Sequence, residues 1–215
     1  MTHTLHRVGK PESLRRDIVF TCMPSNNINH VGSAPKIRKF LEMCRDLGAV
    51  KIGDTRKGNE YVQGSLENML NNIEDRAVVE AVFDDEVKAT NALRALKEAE
   101  LGLSLVVSGL FEQTRQCCKE AGLRMHTVNQ SLGRWGRTDK LPKGGAVLEL
   151  NTMCGHGMVA VSLIEQAIEK VKKGRWTPEK AAENLFKCCV CGVVNITRAA
   201  EILRALSNED REEND

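Results

Sequence analysis

Ala77-Val78-Val79-Glu80-Ala81-Val82-Phe83, followed by Asp84-Asp85, is the stretch whose reading decides the fold. A Val- and Phe-rich run without Gly or Pro is a strand signal. Asp84 or Asp85 then supplies a helix cap, and Val87, Leu93 and Leu96 recur at helical spacing up to about residue 100. The alternation continues with a strand over 103–108, a helix over 109–121 closed by Gly122, and a strand over 123–128. Strands and helices alternating at this spacing predict βαβ units. The expected fold is therefore α/β, a mixed, mostly parallel sheet with flanking helices, with antiparallel pairing in an α+β layer as the alternative.

Upstream, Asp17-Ile18-Val19-Phe20-Thr21-Cys22-Met23 reads as a buried strand stopped by Pro24. Ser33 and Pro35 open a helix whose inner face carries Ile37, Phe40, Leu41, Cys44 and Leu47. A short strand over 50–54 and a helix over 65–73 follow. Downstream, residues 129–145 form a polar, glycine-rich connection and 146–150 reads as another strand. Helices are predicted over 158–172, over 177–187 behind the Thr177-Pro178-Glu179 start, and over 195–206. Residues 1–150 then make the α/β sheet core. Residues 151–206 form a C-terminal helical segment carrying a Cys cluster, packed on that core in one domain. Residues 207–215, without an apolar side chain, read as a disordered tail.

The 215 residues suffice for one good-sized domain. A net charge of +2 creates no global field toward nucleic acid or membrane, and 4% aromatics offer few stacking platforms for bases, so nucleic-acid binding is disfavoured. No apolar run is long enough to span a bilayer, and Met1-Thr2-His3-Thr4-Leu5-His6-Arg7 lacks the apolar core of a secretory signal, so a cytoplasmic location is expected.

Cysteine is the informative residue. Of eight, Cys154, Cys188, Cys189 and Cys191 lie in the C-terminal third. In a reducing compartment such clustering points to metal or thiol chemistry. Met153-Cys154-Gly155-His156-Gly157 and Cys188-Cys189-Val190-Cys191-Gly192 are glycine-containing turns beside helices, where thiolates can gather around a soft metal. Cys154, Cys191 and either Cys188 or Cys189 are the expected ligands, with His156 as a fourth. Three thiolates with an open corner suit a 4Fe-4S cluster, the favoured cofactor, because C-x-H is an uncommon zinc knuckle; structural zinc is the alternative. Packing alone is the bland alternative, since buried cysteine behaves as a small hydrophobe, and that reading is preferred for Cys22, Cys44, Cys117 and Cys118.

Other candidates surround this group. Gly155-His156-Gly157, read as a helix start, offers backbone N–H groups to an anion. The loop over 131–143 carries Arg134, Arg137, Lys140 and Lys143 around Trp135 and follows a predicted strand end, which suits a small anionic substrate. Asn195 and Arg198, one helix turn past the cysteines, are further substrate-binding candidates. His156 and His126 are the candidate acid–base groups. His3 and His6 form a possible ligand pair at the terminus.

His3-Thr4-Leu5-His6-Arg7, Ser131-Leu132-Gly133-Arg134-Trp135-Gly136, Thr152-Met153-Cys154-Gly155-His156-Gly157-Met158 and Cys189-Val190-Cys191-Gly192 with Asn195 and Arg198-Ala199 together resemble a family of uncharacterised proteins from anaerobic archaea and bacteria. The resemblance covers nearly the whole chain short of the tail. It implies an anaerobic setting and carries over no activity and no catalytic residue.

Three functions follow as expectations. The first is a cytoplasmic iron–sulfur enzyme acting on a small anionic substrate. The second is a zinc-stabilised binding or assembly module, as a homo-oligomer or within a larger complex. The third is a metal-free thiol enzyme with Cys154 as nucleophile at a helix N-terminus, where its pKa falls.

Overall fold

The structure, a computed structural model, describes residues 6–212; His3 lies outside them. Four strands, β1 (Ile18–Met23), β2 (Lys51–Asp54), β3 (Val79–Phe83) and β4 (Ser104–Ser108), form one sheet in the order β2-β3-β1-β4. Every neighbouring pair is antiparallel, with Phe20 opposite Ala81 and Val107, and Ile52 opposite Ala81.

This corrects the expectation of a mostly parallel sheet. The crossovers exist: α2 (Ala34–Asp46) links β1 to β2, and α4 (Glu86–Glu98) links β3 to β4. Each crossover, however, skips one place in the sheet. β3 fills the gap between β1 and β2, and β1 fills the gap between β3 and β4. A βαβ pattern in sequence does not distinguish adjacent from split parallel strands. The split arrangement, twice over, is ferredoxin-like in topology.

Both faces of the sheet are covered. Ile18, Phe20, Cys22, Val79, Ala81 and Phe83 point to α2, α4 and α5 (Phe111–Glu120), and the Phe20 and Phe83 rings meet at 4.8 Å. Val19 and Val82, one residue out of register, point to the other face, as period-2 alternation requires. There the C-terminal layer packs: α6 (Gly145–Cys154), α7 (Val161–Lys172), α8 (Pro178–Lys187) and α9 (Ile196–Glu212). Two short helices, α1 (Pro11–Leu14) and α3 (Leu66–Asn71), complete the described elements. None of the helices among the described residues is long and apolar enough to cross a membrane.

Local signals explain most boundaries. The side chains of Ser65, Asp85 and Thr177 accept the backbone N–H groups of Asn68, Lys88 and Lys180 and so cap α3, α4 and α8. Ser33 does not cap α2 with its side chain; the carboxylate of Asp75 accepts the Ala34 and Gly32 N–H groups from another part of the chain.

Two expectations fail. Residues 146–150 form part of α6 rather than a strand: a short apolar run fits either element, and its helical continuation through Thr152, Met153 and Cys154 buries three more side chains. Residues 123–128 pair with no strand; they run beside the open edge of β4 across a cleft of about 940 Å³. α9 extends to Glu212.

One buried acid lies on the face under the C-terminal layer. Glu80 is fully buried and accepts a hydrogen bond from the Thr21 hydroxyl across the β1–β3 pair. Burial, partly offset by Thr21 and Arg7, raises its pKa from 4.5 to about 7. The folded chain therefore holds this proton more tightly than the unfolded chain. The resulting penalty is absent below the unfolded pKa, grows as pH rises, and is complete above the folded one. Between about pH 5 and about pH 8 the stability gap between Glu80→Gln and the parent should shift in favour of the variant by roughly 2–3 kcal/mol, measured by urea denaturation. A gap that stays constant with pH would contradict this assignment.

Candidate functional site

The cysteine turn follows α8. Cys188 closes that helix, the Cys189 N–H bonds to the Phe186 carbonyl at 2.8 Å, and the Gly192 N–H returns to the Cys189 carbonyl at 3.0 Å. Gly192 sits at φ +80, and a Cβ there would lie 2.8 Å from the Ile52 carbonyl oxygen of β2. Opposite it, a Cβ on Gly53 would lie 2.4 Å from the Cys191 carbonyl oxygen. Two facing glycines thus let the turn rest backbone to backbone on the sheet edge. Asn59, fully buried, donates to the Cys189 carbonyl at 2.9 Å while its own oxygen accepts the N–H groups of Tyr61 and Val62.

Cys154 approaches from the other side as the last residue of α6, with Gly155 at φ +69 closing the helix. Gly155-His156-Gly157 is therefore a helix C-terminal turn. It is not the helix start expected from sequence, and the anion site proposed for such a start is withdrawn; α7 begins only at Val161.

The two turns bring three thiols and an imidazole into line. The Cys154 thiol lies near that of Cys189, whose proximity raises its pKa. The sulfurs of Cys189 and Cys191 are 3.9 Å apart, and His156 Nδ1 lies 3.4 Å from the Cys191 sulfur. Cys154 and Cys189 are fully buried and Cys191 nearly so, whereas His156 is exposed above them. Cys188 stays outside the line, half-buried against the helical layer. The contacts form a string, not a closed cage: among the described residues no three His, Cys, Asp or Glu side chains are gathered closely enough to hold a metal ion as they stand.

The surroundings of the sulfurs are polarised. Cys154 accepts backbone hydrogen bonds from Met158 and His156, and Cys189 accepts one from Val194, each of which favours the thiolate. Without a cation these donors are outweighed. The nearby Cys189 thiol, together with burial, pushes the Cys154 thiol far up. For Cys189 the Cys154 thiol pulls down, but the Cys191 contact and burial take it up to about 12. At the C-terminal end of α6 the helix dipole also disfavours a thiolate. A metal-free Cys154 nucleophile is thus poorly served. In metal-free native protein, Cys154 should alkylate with iodoacetamide at about pH 7 at least ~10-fold more slowly than in urea-unfolded protein, as read by mass spectrometry. Equal rates would restore the thiol-enzyme reading.

The remaining candidates are placed differently. Asn195 caps α9 by accepting the Arg198 N–H at 3.0 Å and donates to the Arg16 carbonyl at 2.6 Å. Arg198 is 1% exposed, and each guanidinium nitrogen is engaged: Nε on Ser13 at 2.9 Å, Nη1 on Asp17 at 2.7 Å, and Nη2 on the Val8 carbonyl at 2.6 Å and on Glu149 at 3.2 Å. Both residues are buried and engaged within the fold. His126 is exposed on the unpaired 123–128 segment, and its ring contacts Thr127 at 2.7 Å. Arg137 forms a bidentate pair with Asp139 at 2.8 and 2.7 Å, leaving Arg134 as the loop arginine that borders a cleft. His6 contacts Ser131 at 3.1 Å, far from the cysteine turns in sequence and in contact. Cys22, Cys44 and Cys117 are buried in the first core, in keeping with their expected packing role.

Sequence reasoning missed Arg7, Asp17, Glu149 and Asn59. Asp17 accepts from both Arg7 and Arg198, and the Arg7 guanidinium also reaches the Val193 carbonyl beyond the cysteine turn. Their partners are distant in sequence, so no local spacing marks them. No known protein family, curated protein or solved structure matches this chain.

Proposed function

We propose that this is a zinc–thiolate protein in which Cys154, Cys189, Cys191 and His156 hold one zinc ion that fastens the C-terminal helical layer to the sheet of a binding or assembly module. The observation carrying this reading is the spacing of two donor pairs, Cys189–Cys191 and Cys191–His156, with Cys154 brought in by closing the string. Tetrahedral zinc with sulfur at about 2.3 Å and nitrogen at about 2.0–2.1 Å sets ligand-to-ligand edges of about 3.8 Å for S···S and about 3.6 Å for S···N. The Cys189–Cys191 and Cys191–His156 distances are 3.9 and 3.4 Å. In a 4Fe-4S cluster each thiolate binds its own iron, so the sulfurs stand farther apart than two ligands of one ion; the spacing favours the single ion.

Two further features support the reading. Backbone N–H groups aimed at Cys154 and Cys189 complete the outer shell that thiolate ligands use. His156, between Gly155 and Gly157 at φ +69 and +67, sits on a turn able to close the string into a cage. Four protein ligands leave no open position, which is the pattern of a structural site. Binding replaces the thiol protons by the metal, relieving the strongly protonated state described above.

Elemental analysis of protein purified without oxygen tests this. About one zinc per chain, colourless and free of acid-labile sulfide, is expected. Iron with stoichiometric sulfide would return the iron–sulfur enzyme, and protein without metal even after zinc is added would remove the centre.

A further inference from the structure

β4 is an end strand of the sheet, and its ladder is with β1. On its outer side lies the cleft of about 940 Å³, bordered by residues 123–128. The apolar floor of this cleft belongs to the first core. Leu96, Leu103, Leu105, Val107 and Cys118 line it and are only partly buried there. An end strand that leaves core side chains open to water calls for a cover on that side.

Three observations say what the cover is. The first is phase. Leu123-Arg124-Met125-His126 alternates apolar and polar residues, and the structure already keeps Leu123 and Met125 half-buried while Arg124 and His126 are exposed. The second is the way the chain enters. Gly122, at φ +67, ends α5, and the Leu123 N–H returns to the Cys118 carbonyl at 2.8 Å, so the segment starts against the first core. A strand placed from there on the outer side of β4, parallel to it, makes a crossover through α5. That crossover has the same hand as β1–α2–β2 and β3–α4–β4, because α5 covers the same face as α2 and α4. The third is the backbone. Residues 124–128 make no main-chain hydrogen bond among the described residues, so their N–H and C=O groups are available to a ladder.

We propose that residues 123–128 are a detachable edge strand, a strap that zips onto β4 as a fifth strand parallel to it and swings off to open the cleft. In the closed position Leu123, Met125 and Thr127 turn to the first core and cover its open side chains. Val106 and Val128, 36% and 47% exposed in the open position, then share the opposite face. Neither the 154–157 turn nor the 188–192 turn borders the cleft, so the strap and the zinc reading fail independently.

Hydrogen exchange of the full-length protein, read by mass spectrometry, tests the strap. The amides of 124–128 should exchange at least ~10-fold more slowly than in a synthetic peptide of residues 121–130, and at least ~100-fold faster than those of β1, as a locally opening strand does. Met125→Asp puts a charge on the inward face. Arg124→Pro with Thr127→Pro, of opposite parity, removes at least one N–H that faces β4. Each variant should return the segment to the peptide's rate and strip part of the protection from the β4 peptide, while the β1 and α5 peptides keep theirs. Exchange at the peptide's rate in the parent, exchange as slow as in β1, or protection that survives both variants overturns the proposal.

Discussion

Replacing Arg198 with methionine should lower stability by about 3–5 kcal/mol, because the change leaves the buried carboxylate of Asp17 short of one partner and uncouples Glu149, Ser13 and the Val8 carbonyl. For a chain of this size that corresponds to a fall of about 6–20 °C in melting temperature. Arg198→Lys should recover little, since a point ammonium cannot reach four acceptors that the planar fork meets at once. The network it anchors joins α1, β1, α6 and α9, so the loss should appear as a cooperative shift of the whole transition in circular dichroism. An arginine serving only to hold substrate would leave the melting temperature where it was, and that result would contradict the structural role.

On the zinc reading, removing the metal should have an effect of similar size. If zinc is present at about a thousand times its dissociation constant, it contributes about 4 kcal/mol to the folded state. A strong chelator should then lower the melting temperature by about 8–16 °C. Cys189→Ser should show the lower value with or without chelator, because Cys189 stands between Cys154 and Cys191 in the string of contacts. Cys188→Ser, outside the string, should behave as the parent does. A parent protein indifferent to chelator, or a Cys188 variant as damaged as the Cys189 variant, would count against the centre.

Much of this arrangement was legible in the chain, for definite physical reasons. The strands over 79–83 and 104–108 and the helix between them carried both period and cap, with Asp85 acting as its side chain suggested. The cysteines at 154 and near 190 stood out by residue type and by their glycine-containing turns, but their spacing did not say which sulfurs approach one another. Strand direction was not legible: whether α2 and α4 return their strands to adjacent or alternate places depends on what fills the gap, and β3 and β1 fill it from elsewhere in the sequence. The identity of 146–150 was ambiguous because four apolar side chains in five positions suit either period. Arg198 looked like a ligand-binding cation beside the cysteines. Its true partners, Ser13 and Asp17, lie more than 180 residues away in sequence, and only the folded chain reveals that its charge is already spent.

The central claim is that one ion, not a cluster and not bare thiols, joins the turns at 154–156 and 189–191. Zinc K-edge X-ray absorption on the protein as purified measures this directly. The account predicts a first shell of three sulfurs at about 2.3 Å and one nitrogen at about 2.0–2.1 Å. A zinc shell of oxygen and nitrogen alone would mean that the thiols do not hold the metal, and would contradict the account.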